Sequence, residues 1–264
     1  MFTCSDHTFV VCAYGESPYL RDCILSLMKQ KQPSRIIVST STPNKHIDRI
    51  ASSFNLPVII NNGKPGIGHD WNCAISHAQT PLVTIAHQDD LYSPNYTIKM
   101  LCSVNASRHP LIFFSNYGEI RNGEYADDIS ILKVKRIILR KLASVGYSSL
   151  TKEKRRVLRF GSAICCPSVT YVITNLETPL FSSDMKCDLD WEAWERFSRL
   201  EGSFVYSSEI LMHHRIHEGS ETTSLIQDNT RSSEDLAMLE KFWPKRVAKV
   251  IHRLYSLSMN SNAL

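Results

Sequence analysis

Short apolar runs rich in β-branched residues alternate with amphipathic segments through the first third of the chain. Residues 8–13 (Thr-Phe-Val-Val-Cys-Ala) form one such run, broken at Tyr14-Gly15-Glu16-Ser17-Pro18. Leu20, Cys23, Ile24, Leu27 and Met28 then recur at helical spacing, which predicts a helix over 19–30. The same alternation continues with strands at 35–40 and 57–60 and helices at 44–54 and 67–78. A fourth apolar run, 81–86, leads into His87-Gln88-Asp89-Asp90. Strand and helix in this rhythm imply right-handed crossovers, a mostly parallel sheet and an α/β fold.

The middle of the chain breaks the pattern. Residues 111–115 read as another strand, but ten Lys or Arg and one acid, Glu153, fall between Ile131 and Arg159. Ile131, Leu132, Val134, Ile137, Ile138, Leu139 and Leu142 interleave with those charges. Two readings fit: a basic amphipathic surface that meets anionic lipid, or a helix pair packed on the sheet with its charges in water. Residues 160–167 are a small-residue strand or turn. Residues 188–200 read as a helix opening with acids, which suits its N-terminal dipole. A last strand at 205–212 precedes His213-His214-Arg215-Ile216-His217, and a helical tail runs over 231–255 with an apolar stripe from Leu236 to Leu254. Pro244 must kink or split that tail.

With 264 residues, 43% of them hydrophobic, the chain can bury a full core. A net charge of +4 is too mild to imply nucleic-acid binding. No apolar run is long enough to span a bilayer, and the first residues lack a signal-peptide pattern. Eight cysteines, none in a Cys-x-x-Cys pair, suit a reduced cytoplasmic protein without a disulfide frame or structural zinc site.

Asp89 and Asp90 therefore stand at the carboxyl end of a predicted parallel strand, where open α/β sheets bind ligands. Adjacent carboxylates repel, and a divalent cation shared with substrate phosphates would resolve the repulsion. The plain alternative is a solvated turn before Ser93-Pro94-Asn95. His213, His214 and His217 lack further ligands at zinc-motif spacing. Gly63-Lys64-Pro65-Gly66-Ile67-Gly68 is neither a P-loop nor a dinucleotide fingerprint. Trp71 and Trp191 could stack on a sugar or base, or simply fill the core.

These landmarks, taken in order from Thr8 to Thr223, resemble the inverting glycosyltransferase family 2. Residues 13–27 are similar to its first βα unit, and Asn62-Gly63 with 66–75 to its glycine-containing loop and Asn-bearing helix. Gln88-Asp89-Asp90 with Pro94 resembles its acidic motif, Asp190 with Trp194 and Arg196 its later acidic motif, and Arg215-Ile216-His217 with Ser220 and Thr222 its closing segment. Strand two ends in Ser39-Thr40-Ser41-Thr42, without the acid that members often carry there, and His87 replaces a further Asp.

The resemblance implies a GT-A fold over 1–225, with 131–159 as a basic helical insertion and 226–264 as a C-terminal helical extension. It implies a nucleotide-diphospho-sugar donor, a UDP-sugar in particular, and a glycan or lipid-linked acceptor in surface polysaccharide or lipopolysaccharide synthesis. Mn²⁺ or Mg²⁺ would be held by Asp90, Asp89 and His217. Donor contacts would come from Ala13, Tyr14, Glu16 and Ser39, from Asn62 and Asn72, and from Asp89, Asp90 and Arg215. Asp190 would be the general base, with Asp188 as its alternative. Apart from the resemblance, the cysteine pattern would place the protein in the cytoplasm, and the basic 131–159 stretch would be what gives it peripheral contact at the inner membrane face. A nucleotidyltransferase on a related sheet and a non-catalytic nucleotide-sugar binding module are the competing readings. The first should carry a basic loop after strand one, which Tyr14-Gly15-Glu16-Ser17-Pro18 does not.

Overall fold

The computed structural model describes residues 1–182, 185–217 and 230–260, the last few as backbone. Ser220, Thr222, the boundary at 225/226 and the side chain of Leu254 lie outside the described residues. The chain opens with β1 (His7–Cys12), α1 (Leu20–Met28), β2 (Arg35–Thr40), α2 (Lys45–Ser53), β3 (Val58–Ile60), α3 (Ile67–Ala78) and β4 (Leu82–His87). Then come β5 (Leu91–Tyr92), α4 (Tyr96–Ala106), β6 (Pro110–Arg121) and β7 (Glu124–Ala126). The second half holds α5 (Ser130–Leu139), α6 (Val145–Ser148), α7 (Thr151–Arg156), β8 (Val169–Val172), α8 (Leu189–Arg199) and β9 (Ser203–Ile216). Two helices, α9 (Thr230–Glu240) and α10 (Lys245–Asn260), follow.

The sheet runs β3-β2-β1-β4-β8-β6-β9-β5, with β7 paired to β6. Its first four strands are parallel, β8 is antiparallel to both neighbours, and β6 is parallel to β9. Alternation along the strands separates two cores. Val10, Ile37, Val83 and Ile85 face α3 and α8, whereas Phe9, Val11, Val38 and Ala86 face α1, α2 and α4. Because β1 and β4 are covered on both sides, they read as unbroken apolar runs.

One strand pair runs longer than the sequence expectation, and two alternatives that the sequence left open are resolved, each for a physical reason. β6 and β9 extend well past 111–115 and 205–212, because they pair with each other from Pro110 to Ile216 and the polar positions find partners across the ladder. The 160–167 segment is a turn, and the strand comes after it, held at Thr170 by a hydroxyl contact of 2.6 Å to Thr84. Pro244 splits the tail outright, its carbonyl accepting the first helical hydrogen bonds of α10 from Val247 and Ala248.

The basic segment is a set of short pieces, α5, a 3-10 turn (Arg140–Ala143), α6 and α7. Leu132, Leu139, Leu142, Val157 and Leu158 point inward. Some of its bases are structural. Lys154 is fully buried, donating to the carbonyls of Leu200 and Gly202 at 2.6 and 2.8 Å, and Arg155 pairs with Glu195.

Candidate active site

The acid pair sits where β4 ends. Asp90 is completely buried, and its Oδ1 accepts from the Arg215 backbone N–H at 2.9 Å and faces His214 Nδ1 at 3.0 Å. Its Oδ2 is buried with no hydrogen-bond partner among the described residues. Asp89 is partly exposed, with Oδ2 3.0 Å from His217 Nε2, and its carbonyl accepts from Arg215 Nε at 2.9 Å. Strand β9 thus reaches across the sheet and fastens both acids from its C-terminal end. The Arg215 guanidinium lies 4.3 Å over the Tyr19 ring, which is also 5.0 Å from His217.

These contacts decide the charges. Burial works against ionisation of Asp89, but His87, His214 and His217 outweigh it and hold its carboxyl below the usual range. Burial also works against a charged His214, yet Asp90 and Asp89 raise its pKa to about 9. His87 goes the other way, since burial pulls its pKa down despite both acids. Its ring stacks on Trp71 at 5.4 Å, and Trp71 packs edge-on against Phe181.

Among the described residues no group of three His, Cys, Asp or Glu is arranged to hold a metal ion. A cation that draws most of its shell from phosphates and water needs only one or two protein ligands. Asp89 and His217, both reachable from solvent and facing each other, supply an oxygen and a nitrogen donor of the kind Mn²⁺ accepts. Asp90, the third expected ligand, is buried next to Asp89 with its Oδ2 unpartnered among the described residues. The donor set fits.

Beside the acids lies the end of the parallel sheet. Gln88 locks the β1 loop to the acid turn, its amide bonding the Tyr14 N–H and carbonyl at 3.0 Å each. Gly15 takes a positive φ of 59°, which lets its N–H reach Thr42 Oγ1 and its carbonyl accept from Asn44. Tyr14 and Glu16 project to solvent, and Ala13 is buried beneath them. At the missing acid of strand two, α3 brings Asp70. Its carboxylate accepts from Ser41 Oγ and from Asn61 Nδ2 at 2.9 Å, and Ser39 donates to Asn61 Oδ1 at 2.7 Å. Asn62 is exposed on the neighbouring loop. Asn72 points elsewhere: its amide donates to the Phe181 carbonyl and accepts from the Phe181 N–H.

The third part of the site is the start of α8. Asp190 is half-buried, with Oδ1 accepting from the Trp191 N–H at 2.6 Å, and burial raises its pKa to about 6 against the pull of Arg231 and Lys135. Asp188 is raised far more, by burial and by the neighbouring Asp235 and Asp190. Glu234 of α9 accepts the N–H groups of Lys186, Cys187 and Asp188 at 2.8–3.0 Å, closing the turn that presents both acids. The Cys165 thiol feels Asp90 and Asp190 after its own burial, so the two acidic motifs converge on one interior. Trp191 and Trp194 are core residues, with the Trp191 indole donating to the Leu158 carbonyl.

Asp70, Tyr19 and Glu234 were given no role from the sequence, and Gln88 and His214 entered only as members of the acidic motif and of the histidine cluster. Asp70 and Glu234 had none, because only the crossing of α3 and α9 brings them to the strand ends.

Comparison with known proteins bears on this arrangement. The family description "Glycosyl transferase family 2" matches residues 8–168. Among solved structures, Staphylococcus aureus TarS 1–349 in complex with UDP-GlcNAc aligns at 14% identity and a TM-score of 0.59, covering 93% of this chain and 70% of that one. Mannosyltransferase PcManGT from Pyrobaculum calidifontis, with GDP-Man and Mn²⁺, aligns at 13% identity and 0.62, covering 94% and 68%. Glucosyl-3-phosphoglycerate synthase from Mycobacterium tuberculosis, with Mn²⁺ and UDP-glucose, aligns at 15% and 0.56, covering 89% and 79%. No curated protein matches the sequence. With the family pattern covering more than half of the sequence, and with this sheet order and these strand-end acids, the chain belongs to glycosyl transferase family 2 and has the GT-A fold.

Proposed function

We propose that the protein transfers a sugar, with inversion, from a nucleotide-diphospho-sugar to a hydroxyl of a glycan or lipid-linked glycan. The observation that carries this reading is the pairing of Asp89 with His217 beside the unpartnered Oδ2 of Asp90, on the same interior as Asp190. Asp89 and His217 would hold Mn²⁺ or Mg²⁺, which supplies Lewis-acid neutralisation of the diphosphate. Arg215, already oriented by Asp89 and Tyr19, directs the rest of its guanidinium fork at a phosphate oxygen. Tyr14, Glu16 and the Ser39-Asn61-Asp70 network line the nucleoside side, with Asp70 taking the part of the acid that strand two lacks. A UDP-sugar is the first donor to test, as UDP-sugars accompany two of the similar structures.

Asp190 accepts the proton of the acceptor hydroxyl as that oxygen bonds the anomeric carbon. The bond from that carbon to the diphosphate oxygen breaks, and the electron pair leaves with the diphosphate. A pKa of about 6 keeps Asp190 ionised at neutral pH yet basic enough to take a proton. Asp188 is poorly suited, being held protonated by burial and by Asp235. We assign 1–225 to the catalytic domain and 226–264 to an extension that braces α8 through Glu234. Eight free thiols suit a reducing compartment, and we place the reaction in the cytoplasm.

The test is transfer and hydrolysis across a panel of nucleotide sugars with Mn²⁺, comparing the wild type with Asp190→Asn. Metal-dependent turnover that Asp190→Asn removes, with donor binding retained, is the expected result. Metal-dependent binding without turnover by the wild type would make the protein a binding module instead.

A further inference from the structure

Away from the cleft, the basic segment turns large apolar side chains outward. Val134, Ile137, Val145, Tyr147, Leu150 and Phe160 are 50, 68, 71, 46, 47 and 44% exposed. Lys133, Arg140, Lys141, Lys152 and Arg159 are exposed among them. The one acid between 131 and 160, Glu153, is buried against Arg156. Spacing sets the direction on α5. Leu132 and Leu139 pack inward, so Lys133, Val134 and Ile137 share the opposite side of α5, and Arg140 and Lys141 are exposed in the 3-10 turn that follows. Lys141 Nζ sits 5.7 Å over the Tyr147 ring and joins that side to α6.

A helix face solvated in the ordinary way exposes its charges and buries its Val and Ile. This face exposes both. Scattered apolar residues on a surface need no cause, but a cluster rimmed by one sign of charge marks an interaction site. The rim mixes three lysines with two arginines, whose long stems can lie along apolar surface while their charged heads reach anionic headgroups. Apolar residues mixed with Lys and Arg sit at the boundary of headgroups and acyl chains, drawn there by anionic lipid. The patch also continues onto α10. Trp243 donates to the Arg159 carbonyl at 2.7 Å and packs on Phe160, and Val247 and Val250 are exposed beyond it among Lys245, Arg246 and Lys249.

We propose that residues 131–160 form a docking face for an anionic lipid bilayer. The inner side of the same helix carries Lys135, which donates to the Tyr117 hydroxyl at 2.7 Å and whose charge reaches Asp190. Docking would therefore bring the site close to substrates held in the membrane. The inference does not depend on the transferase reading.

The test is co-sedimentation of the full chain with phosphatidylcholine vesicles and with equimolar phosphatidylcholine and phosphatidylglycerol vesicles. Binding to the second kind, weakened by salt and absent from the first, is expected. Lys133→Gln with Arg140→Gln and Lys141→Gln should lose roughly a hundredfold in affinity, at about fivefold per base. Val134→Ser with Ile137→Ser should lose about tenfold through lost acyl-chain burial. All five positions are exposed, and an unchanged melting curve would show that the variants fold. Equal binding to both vesicles, no binding to either, or variants that bind like the wild type would overturn the proposal. So would a concentration-dependent dimer that Ile137→Ser dissolves, since the face would then be an interface between copies.

Discussion

Asp89 and Asp90 at the end of β4 differ from Asp188 and Asp190 at the start of α8 in what surrounds them. The first pair is met by histidines, a backbone N–H and an arginine from β9, and Asp89 stays charged below the usual carboxylate range. The second pair is met chiefly by burial, which pushes both members up against the pull of Arg231, with Asp235 adding to the rise of Asp188. Cation binding needs carboxylates that never let go of their charge, whereas a general base needs one that can take a proton near neutrality. The same side chain serves either role, and its neighbours choose which.

The strongest way to break the contrast is to remove the proposed base. Asp190→Asn should lower kcat about 10²–10⁴-fold with donor binding intact, measured by transfer assay and titration of the nucleotide. Asp90→Asn leaves Asp89 and His217 in place but loosens the strand behind them. It should weaken Mn²⁺-dependent donor binding about 10–100-fold, read by calorimetry. Acidification separates the pairs without mutation. Below about pH 6, kcat/KM should fall about tenfold per pH unit as Asp190 protonates, while metal-dependent donor binding persists further down because Asp89 is held low. Loss of binding and transfer together would refute the assignment of roles.

Two smaller effects concern stability. The folded pKa of Asp190 is above its unfolded value, so the native state binds more protons between about pH 4 and 6 and loses stability as pH rises through that window. Asp190→Asn should therefore stabilise by about 1–3 kcal/mol at pH 7, with the gain vanishing towards pH 4, followed by thermal melting. Glu234→Ala removes the acceptor for three N–H groups before α8. It should cost about 1–3 kcal/mol and lower transfer more than donor binding, because it loosens only the second pair.

Much of this was legible in the chain. The apolar runs marked β1 and β4 because both faces of those strands are covered, and the order of elements placed Asp89 and Asp90 at the carboxyl edge of the parallel strands. The proposed base, Asp190, was chosen on the register of Trp194 and Arg196, which are a core residue and a helix staple to Glu192. Asp70 was hidden, since it lies on α3 and meets the end of strand two only through the fold, at Ser41 and Asn61. Glu234 was hidden by the nearly fifty residues that separate it from the turn it closes. The two readings of 131–159 could not be told apart from periodicity, because inward Leu132 and outward Ile137 are equally apolar on paper.

By itself the sequence determined the alternation of elements, the placing of two acidic motifs at element ends and the family pattern that joins them. Those depend on local spacing and burial, which neighbours along the chain dictate. Only the tertiary structure decided which acid stays charged and which is raised, because pKa follows dehydration and charges brought from β9 and α9. It also decided which apolar side chains of the basic segment remain outside, since that depends on where the sheet runs out of surface to cover them.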